Sequence, residues 1–463
     1  MKKLLPFVFL SASCFSAMAQ HEADRWYFGT NAGLDFSSGS PVVVSSSFST
    51  AEGCSTVSNA VGQLLFYTDG VSVWDSTHTV MPNGNGLLGD VSSTQSALIV
   101  PSPMGNLQYY IFTTAADGGP AGFNYSIVDM TMGMHGDVVS TSKNIFLTDS
   151  TTEKIAAIKD AANGYWVVMH KWGDNAFYSY HLTTTGIQPP VITHTGTVHS
   201  TSTFQNAYGQ MKFDMCGDKL ALALGYQNIV DVFDFDRTTG IVSNPLSISM
   251  ADHVYGVEFS PSSEFLYVTC YDVSAKLSQF NISLATMPLI LASKTPLSIT
   301  DDLYGLQIGP DGKIYLSRSF GTNFLGVINS PDVASTGCNY VENGLDLDPG
   351  FMGVNAALTL PGFMQSYLKV ATGTTCPLPT GIAEQALENV QPVFPNPSST
   401  GFTIDLSNAA TALISIYDYT GKLIEAHANV NSVFTFGNQY SKGIYFVKVE
   451  SGHQVQNYKV VKM

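Results

Sequence analysis

The chain has 463 residues, 44% of them hydrophobic, which is ample for a large buried core, yet only 12% are charged, against a usual figure of about 25%. Its formal net charge is −16, and the three arginines are the scattered Arg25, Arg237 and Arg318. That balance excludes a nucleic-acid binder, which needs clustered cations to displace counterions.

In chain order, the first element is an export signal over residues 1–19. Lys2 and Lys3 precede an apolar run at residues 4–10, and Ala17-Met18-Ala19 has the small-x-small pattern of a signal cleavage site, placing the cut between Ala19 and Gln20. The run is far shorter than the roughly 20 residues needed to span a bilayer, and no other segment is long and apolar enough to do so. Cys14 opens a lipoprotein alternative, against which Ser11 stands where such signals usually hold Leu.

The body, residues 20–372, repeats one pattern: an apolar strand, a turn rich in Gly, Asp, Ser or Pro, then an aromatic strand. The copies are VSNAVGQLLFYTDGVSVWD, LIVPSPMGNLQYYIFTT, IAAIKDAANGYWVVMHKW, MKFDMCGDKLALALGYQNIVDVFDFD, VEFSPSSEFLYVTCYDVSAKLSQFN and LQIGPDGKIYLSRSFGTNFLGVIN. A spacing of roughly 40 to 60 residues is that of propeller blades. Asp311-Gly312 and Asn163-Gly164 are expected to supply the positive φ of tight hairpins. RWYFGTNAGLDFS at the start and VNAALTLPGFMQSYLKV at the end can supply one more blade and close the ring. The fold class predicted is all-β: a β-propeller of seven blades, with six or eight as alternatives, followed by a small C-terminal β-sandwich. Helical periodicity is nearly absent, residues 383–389 being the one short exception.

Candidate chemistry in the body is sparse. Asp69, Asp117, His170, Asp252-His253 and Asp301-Asp302 (beside Tyr304) fall near strand ends or turns, where acids and imidazoles serve propeller hydrolases and lyases. Such residues equally cap turns, so no catalytic residue is assigned. Trp26, Trp74, Trp172, Phe177, Tyr178 and Tyr180 are either stacking surfaces for sugars or blade core. Nucleophile-elbow, zinc-helix, phosphate-loop and EF-hand motifs do not occur, so no cofactor or metal is expected. Asp75-Ser76-Thr77 and Asp149-Ser150-Thr151 have the form of short bacterial O-glycosylation sites. Beyond Cys14, five cysteines remain (54, 216, 270, 338 and 376), an odd number; Cys338 and Cys376 are the pair expected to bridge.

After a linker at 373–391, the tail at 392–463 holds three alternating strand patterns. It opens on Phe394-Pro395-Asn396-Pro397, turns at Tyr417-Asp-Tyr-Thr-Gly421-Lys422, and runs from Gly443-Ile-Tyr445 to Lys459-Val-Val-Lys462. Five lysines against four acids leave this tail at +1; with Lys2 and Lys3 also set aside, residues 20–392 carry −19. The tail resembles the type A C-terminal sorting domain of the type IX secretion system. That resemblance implies recognition by the type IX translocon and removal by a sorting peptidase, with Pro395, Asn396, Pro397, Gly421, Lys422, Gly443, Tyr445, Lys459 and Lys462 as motif positions. RWYFGTNAGLDF, EGCSTVSNAVGQLLFYTDGVSVWD, MPNGNGLLG and SSTQSALIVPSP together resemble the N-terminal propeller region of exported surface proteins in bacteria that use that system. The resemblances imply a secreted or cell-surface protein, with a glycan- or protein-binding, adhesive body as the first reading and a hydrolase or lyase of polysaccharide or peptide as the alternative.

Overall fold

The computed structural model describes residues 21–271, 276–299, 302–319, 321–350, 353–368, 393–406, 412–419, 422–451 and 454–463. The signal cleavage pair Ala19 and Gln20, the linker and residues 383–389 lie outside these. The chain divides into two compact units, Met1–Pro377 and Leu378–Met463.

Seven antiparallel sheets follow one another through the described residues of the first unit. Sheet 1 holds Arg25–Phe28, Thr30–Asp35 and Val42–Ser49; sheet 2 runs from Ser55–Ser58 through Leu64–Thr68 and Ser72–Asp75 to Val80–Asn85. Sheets 3, 4, 5, 6 and 7 begin with Ala97–Pro101, Thr151–Lys159, Met211–Phe213, Val254–Phe259 and Leu303–Ile308. Each of sheets 2 to 7 is a meander of four strands, two of them with a fifth attached. The six sequence repeats coincide with the opening strands of sheets 2 to 7. Both faces of these strands are covered, so burial does not alternate along them: every residue of Val254–Phe259 and of Phe265–Cys270 is buried. The arrangement is all-β and propeller-like.

The first strands meet one another. The Gln95 side chain accepts from the Met211 amide (2.7 Å) and donates to the Met211 carbonyl (3.1 Å), joining sheet 3 to sheet 5. Gln210 does the same at Leu306, at 2.9 and 3.2 Å, joining sheet 5 to sheet 7. Neighbouring strands come so close that a Cβ at Gly256 would lie 2.3 Å from the Tyr304 carbonyl oxygen. Residues 353–368 then tie the last sheet to the first two: Thr30 and Asn355 exchange amide hydrogen bonds (3.0 and 3.2 Å), Gly305 donates to Leu358 (2.9 Å), and Gly362 donates to Cys54 (2.8 Å). The two end segments thus meet, but the later one does so through isolated bridges and the short 3-10 turn Gln365–Tyr367 rather than a regular strand. Trp26, fully buried, seals this seam against Tyr315, Phe36 and Phe363.

Three expectations need correction. Gly312 has φ +78°, but Gly164 does not adopt a positive φ; the absence of a side chain matters there because a Cβ would meet Asp160 Oδ2 and the Leu182 carbonyl oxygen, each at 2.7 Å. A six-residue helix forms at Met287–Ala292, started by Pro288 in its first turn; six residues are too few to show a 3.6-residue period. Cys338 is a free, buried thiol, while Cys216 is disulfide-bonded, so the bridge expected at Cys338 does not form.

In the second unit, Phe402–Asp405 pairs with Val433–Phe436, and a four-stranded sheet has the order Leu423–Val430, Ala412–Asp418, Gly443–Ser451, Gln454–Lys462. Ile404, Ile414, Ile416, Val447, Val449 and Val460 form a common core, each fully buried.

Trp26→Ala is expected to cost about 3–5 kcal/mol, the usual figure for emptying a large aromatic site, whereas Val61→Ala, at a 72% exposed position, should stay within about 0.5 kcal/mol. Guanidinium denaturation of both variants checks the difference; equal midpoints would refute a seam that depends on Trp26.

Candidate functional site

In an antiparallel meander, the start of the first strand and the turn between the second and third strands lie at the same end of the sheet. In sheets 2 to 7 this end gathers Glu52, Thr94, Gln95, Glu153, Lys154, Tyr208, Tyr255 and Tyr304 ahead of or within the first strands. It also gathers Asp69, Asp117, Trp172, Tyr226 and Tyr271 from the turns. Direct contacts tie the two sets together. Ser96 Oγ donates to the Asp69 carbonyl oxygen (2.6 Å), and the Asp117 amide donates to Glu153 Oε1 (2.9 Å).

Glu153 and Lys154 are adjacent and both fully buried. Both are buried because both faces of this strand are covered: Glu153 turns toward sheet 3 and Lys154 toward sheet 5. Glu153 Oε2 accepts from the Thr94 amide and hydroxyl, both at 2.8 Å. Lys154 Nζ donates to the carbonyl oxygens of Ala207 (2.6 Å) and Tyr208 (2.7 Å). Burial raises the Glu153 carboxyl and lowers the Lys154 ammonium, each moving toward its neutral form. Burial, with Glu153 nearby, pushes Glu52 up to about 9. The Tyr255 hydroxyl is buried beside Glu52 and Thr94 without a hydrogen bond of normal geometry. Deeper still, the His170 and His199 rings lie 4.1 Å apart. Burial, then the charge of Lys154, pushes His170 down to about 3, and burial holds His199 well below its ordinary value. Both ring nitrogens of His199 lack a hydrogen-bond partner.

Beside these groups runs a row of rings across sheets 5, 6 and 7. Tyr226 and His253 have centroids 3.7 Å apart, His253 and Tyr271 stack at 5.8 Å, and Tyr271 and Tyr304 stack at 5.5 Å. Tyr255 meets Tyr304 edge-on at 84°. Stacked rings cover one another's faces, leaving hydroxyl-bearing edges and, at the end of the row, Tyr226, which is 39% exposed. This combination of ring surface, hydroxyl donors and acids suits a polyhydroxylated or polar ligand.

The candidates from sequence therefore separate. Asp117, His253 and Tyr304 join the site, with His170 below it. Asp69 caps its own turn, accepting from the Val71 (2.8 Å) and Ser72 (2.7 Å) amides. Asp252 is buried next to His253. Asp302 pairs with Lys276 at 2.7 Å, and Asp301 lies outside the described residues. Trp26, Phe177 and Tyr180 are core, and Trp74 stacks on Tyr67; Tyr178 is half-buried in its sheet, and Trp172 sits over Gly118. Glu52, Glu153, Tyr226, Tyr255 and Tyr271 went unrecognised. One signal was present: Tyr-Gly recurs at 208–209, 255–256 and 304–305, at the head of three successive first strands.

In the second unit, Asn396, between Pro395 and Pro397, clamps the final strand: its Nδ2 donates to the Lys459 carbonyl oxygen (2.7 Å) and its Oδ1 accepts from the Val461 amide (2.9 Å). The buried Lys462 ammonium donates to the carbonyl oxygens of Gly437 (2.9 Å) and Thr400. Gly443 pairs with Lys462 across the sheet, and Lys459 pairs with Phe446. The Tyr445 hydroxyl donates to the Ser441 carbonyl oxygen (2.9 Å), and the Lys422 amide donates to Asp418 Oδ1 (3.1 Å). Gly421 lies outside the described residues.

Because Glu52 holds its proton to about pH 9 when folded, against 4.5 ordinarily, the folded state binds the extra proton between those values and its stability falls as pH rises through that window. Melting temperatures of the native chain should drop more steeply from pH 6 to pH 9 than those of Glu52→Gln. Parallel curves would refute the shift.

Comparison with known proteins bears on both units. No curated protein matches the chain. Among solved structures, a protein from Lactobacillus plantarum is similar at 13% identity, covering 73% of this chain and 98% of its own, with a TM-score of 0.46. AztD from Citrobacter koseri is similar at 9% identity, covering 74% and 87%, with a TM-score of 0.41. The Swd1 β-propeller domain of Myceliophteria thermophila is similar at 12%, covering 70% and 87%, with a TM-score of 0.36. At these levels none assigns an activity. Residues 392–463 match the secretion system C-terminal sorting domain family, and the tail is therefore a type IX sorting domain that marks its chain for export to the cell surface or beyond.

Proposed function

We propose that the chain delivers a seven-bladed β-propeller to the outside of the cell, where the propeller binds a glycan or a surface protein without catalysing a reaction. The observation that carries this reading is the row Tyr226–His253–Tyr271–Tyr304 beside Glu52 and Tyr255 at one end of the first unit. In this scheme residues 1–19 are the signal, cut between Ala19 and Gln20; residues 20–372 are the propeller; 373–391 form the linker; and 392–463 fold as a small sandwich read by the translocon. A sorting peptidase then cuts within the linker, and the body is released or joined to surface lipopolysaccharide.

A hydrolase or lyase is the second reading, favoured by two carboxyls, Glu52 and Glu153, that burial raises to different extents. Against it, both oxygens of Glu153 are already committed to the Thr94 and Asp117 donors, so Glu153 cannot act with Glu52 as one of the two carboxyls that acid–base hydrolysis usually employs.

Two experiments test the proposal. Deleting residues 392–463 should hold the body inside the outer membrane on cell fractionation; normal amounts in the medium or on the surface would sink the export assignment. On a glycan array and a panel of chromogenic substrates, the purified chain should bind without turnover, and Tyr226→Ala with Tyr271→Ala should weaken binding by about 1–3 kcal/mol per ring, by analogy with other aromatic stacking contacts. Turnover that disappears in Glu52→Gln would instead establish the enzyme.

A further inference from the structure

Sheet 3 carries a turn that neither the ring-end site nor the sorting tail uses. The sequence Met130-Thr-Met132-Gly-Met134-His135 places three of the chain's 15 methionines at alternate positions within five residues. The turn joins Phe123–Asp129 to the two-residue strand Asp137–Val138. It is closed by main-chain hydrogen bonds from Met132 to Asp129 (3.2 Å) and from Gly136 to Met132 (3.0 Å), so the three side chains spring from one tight loop. Gly136, at φ +86°, is required there twice over: a Cβ would also lie 2.8 Å from the Met130 sulfur, which folds back over the turn. Met134 is 90% exposed and Met132 half-buried.

An apolar side chain so exposed gains nothing from burial, and a turn ordinarily takes Gly, Asn, Asp or Ser at such places. Thioethers do one thing those residues cannot: they are soft, uncharged donors that prefer soft cations such as Cu(I) over Mg2+, Ca2+ or Mn2+. Methionine is also long and unbranched, with three rotatable bonds, so sulfurs two and four residues apart can converge on one ion. His135 adds an imidazole at the same turn. The sulfurs of Cys54, Cys270 and Cys338, the obvious competitors, are buried at 2%, 1% and 0% exposure.

We propose that the turn at residues 130–135 is a binding site for a soft monovalent cation, Cu(I) or its redox-inert analogue Ag(I), held by the sulfurs of Met130, Met132 and Met134 with His135 as a further donor. Binding displaces solvent only; no electron is transferred, and the ion stays monovalent.

The test is titration of the purified full-length chain with Ag(I) by calorimetry, and with Cu(I) under anaerobic competition against bicinchoninate. The native chain should take up one more ion than a Met132→Leu/Met134→Leu variant, or bind it at least about tenfold more tightly, the range in which losing metal-site partners usually weakens affinity. Leucine conserves bulk at these sites, and an unchanged melting temperature without metal will show that the fold is intact. Met463→Leu, which removes another exposed thioether (57%), should leave the stoichiometry unchanged. Identical isotherms for the native chain and the double variant would overturn the proposal. So would equal losses in the double variant and Met463→Leu, which would mean unspecific thioether binding.

Discussion

A strand at the head of a sheet has one edge that its own sheet cannot satisfy, and six or seven such edges turned toward one another would leave a column of unpaired amides and carbonyls. The first unit depends on how that column is closed. Gln95 and Gln210 each offer a primary amide to both main-chain groups of one facing residue, Met211 and Leu306, as another strand would. Lys212, Glu258, Gln307 and Gln365 occupy the same interior: Lys212 donates to Gln307 and lies 3.6 Å from Glu258, while Gln365 donates to Glu258. The side chains around Gln95, Lys212 and Gln365 enclose a cavity of about 10 Å³, roughly room for one water.

The repeating part of this fold was legible because it is local. Each copy pairs a strand with the next across a short turn, so apolar runs and turn residues announce it, and six copies correspond to six sheets. What escaped is what acts across copies. Nothing around Gln95 says that its amide reaches Met211, 116 positions away. Glu153-Lys154 reads as an ordinary charged pair at a strand's edge until sheets 3 and 5 cover the two faces of that strand. The Cys338 expectation failed for the same reason, since proximity in sequence to another cysteine does not set the distance between them. Candidate site residues were half legible: the sequence shows which ones sit at strand ends, and the meander decides that those ends coincide.

The tail contrasts with this. Its motif positions bond within one small module: Asn396 ties the last strand to the opening Pro-Asn-Pro segment, and Lys462 ties it to Gly437 and Thr400. A buried ammonium given only carbonyl partners is an uncommon way to end a strand, because burying a charge costs energy unless hydrogen bonds offset it. Here Lys462 binds the carbonyl of Gly437 in one loop and that of Thr400 in another, so the final residues hold the module together from its terminus. The basic ending is thus part of the packed module rather than a loose charged tail.

The seam sealed by Trp26 has a consequence for time as well as stability. Ser55 and Gly362, which meet there through a 2.7 Å hydrogen bond, are 307 positions apart. Closing a loop of that length is slow in comparison with forming any one sheet, since the entropy is lost before the contact rewards it. For any chain threaded end-first through a membrane, the two halves of the seam stand on opposite sides until nearly the whole body has passed. The seam therefore closes only after the residues near Gly362 have followed the rest of the body.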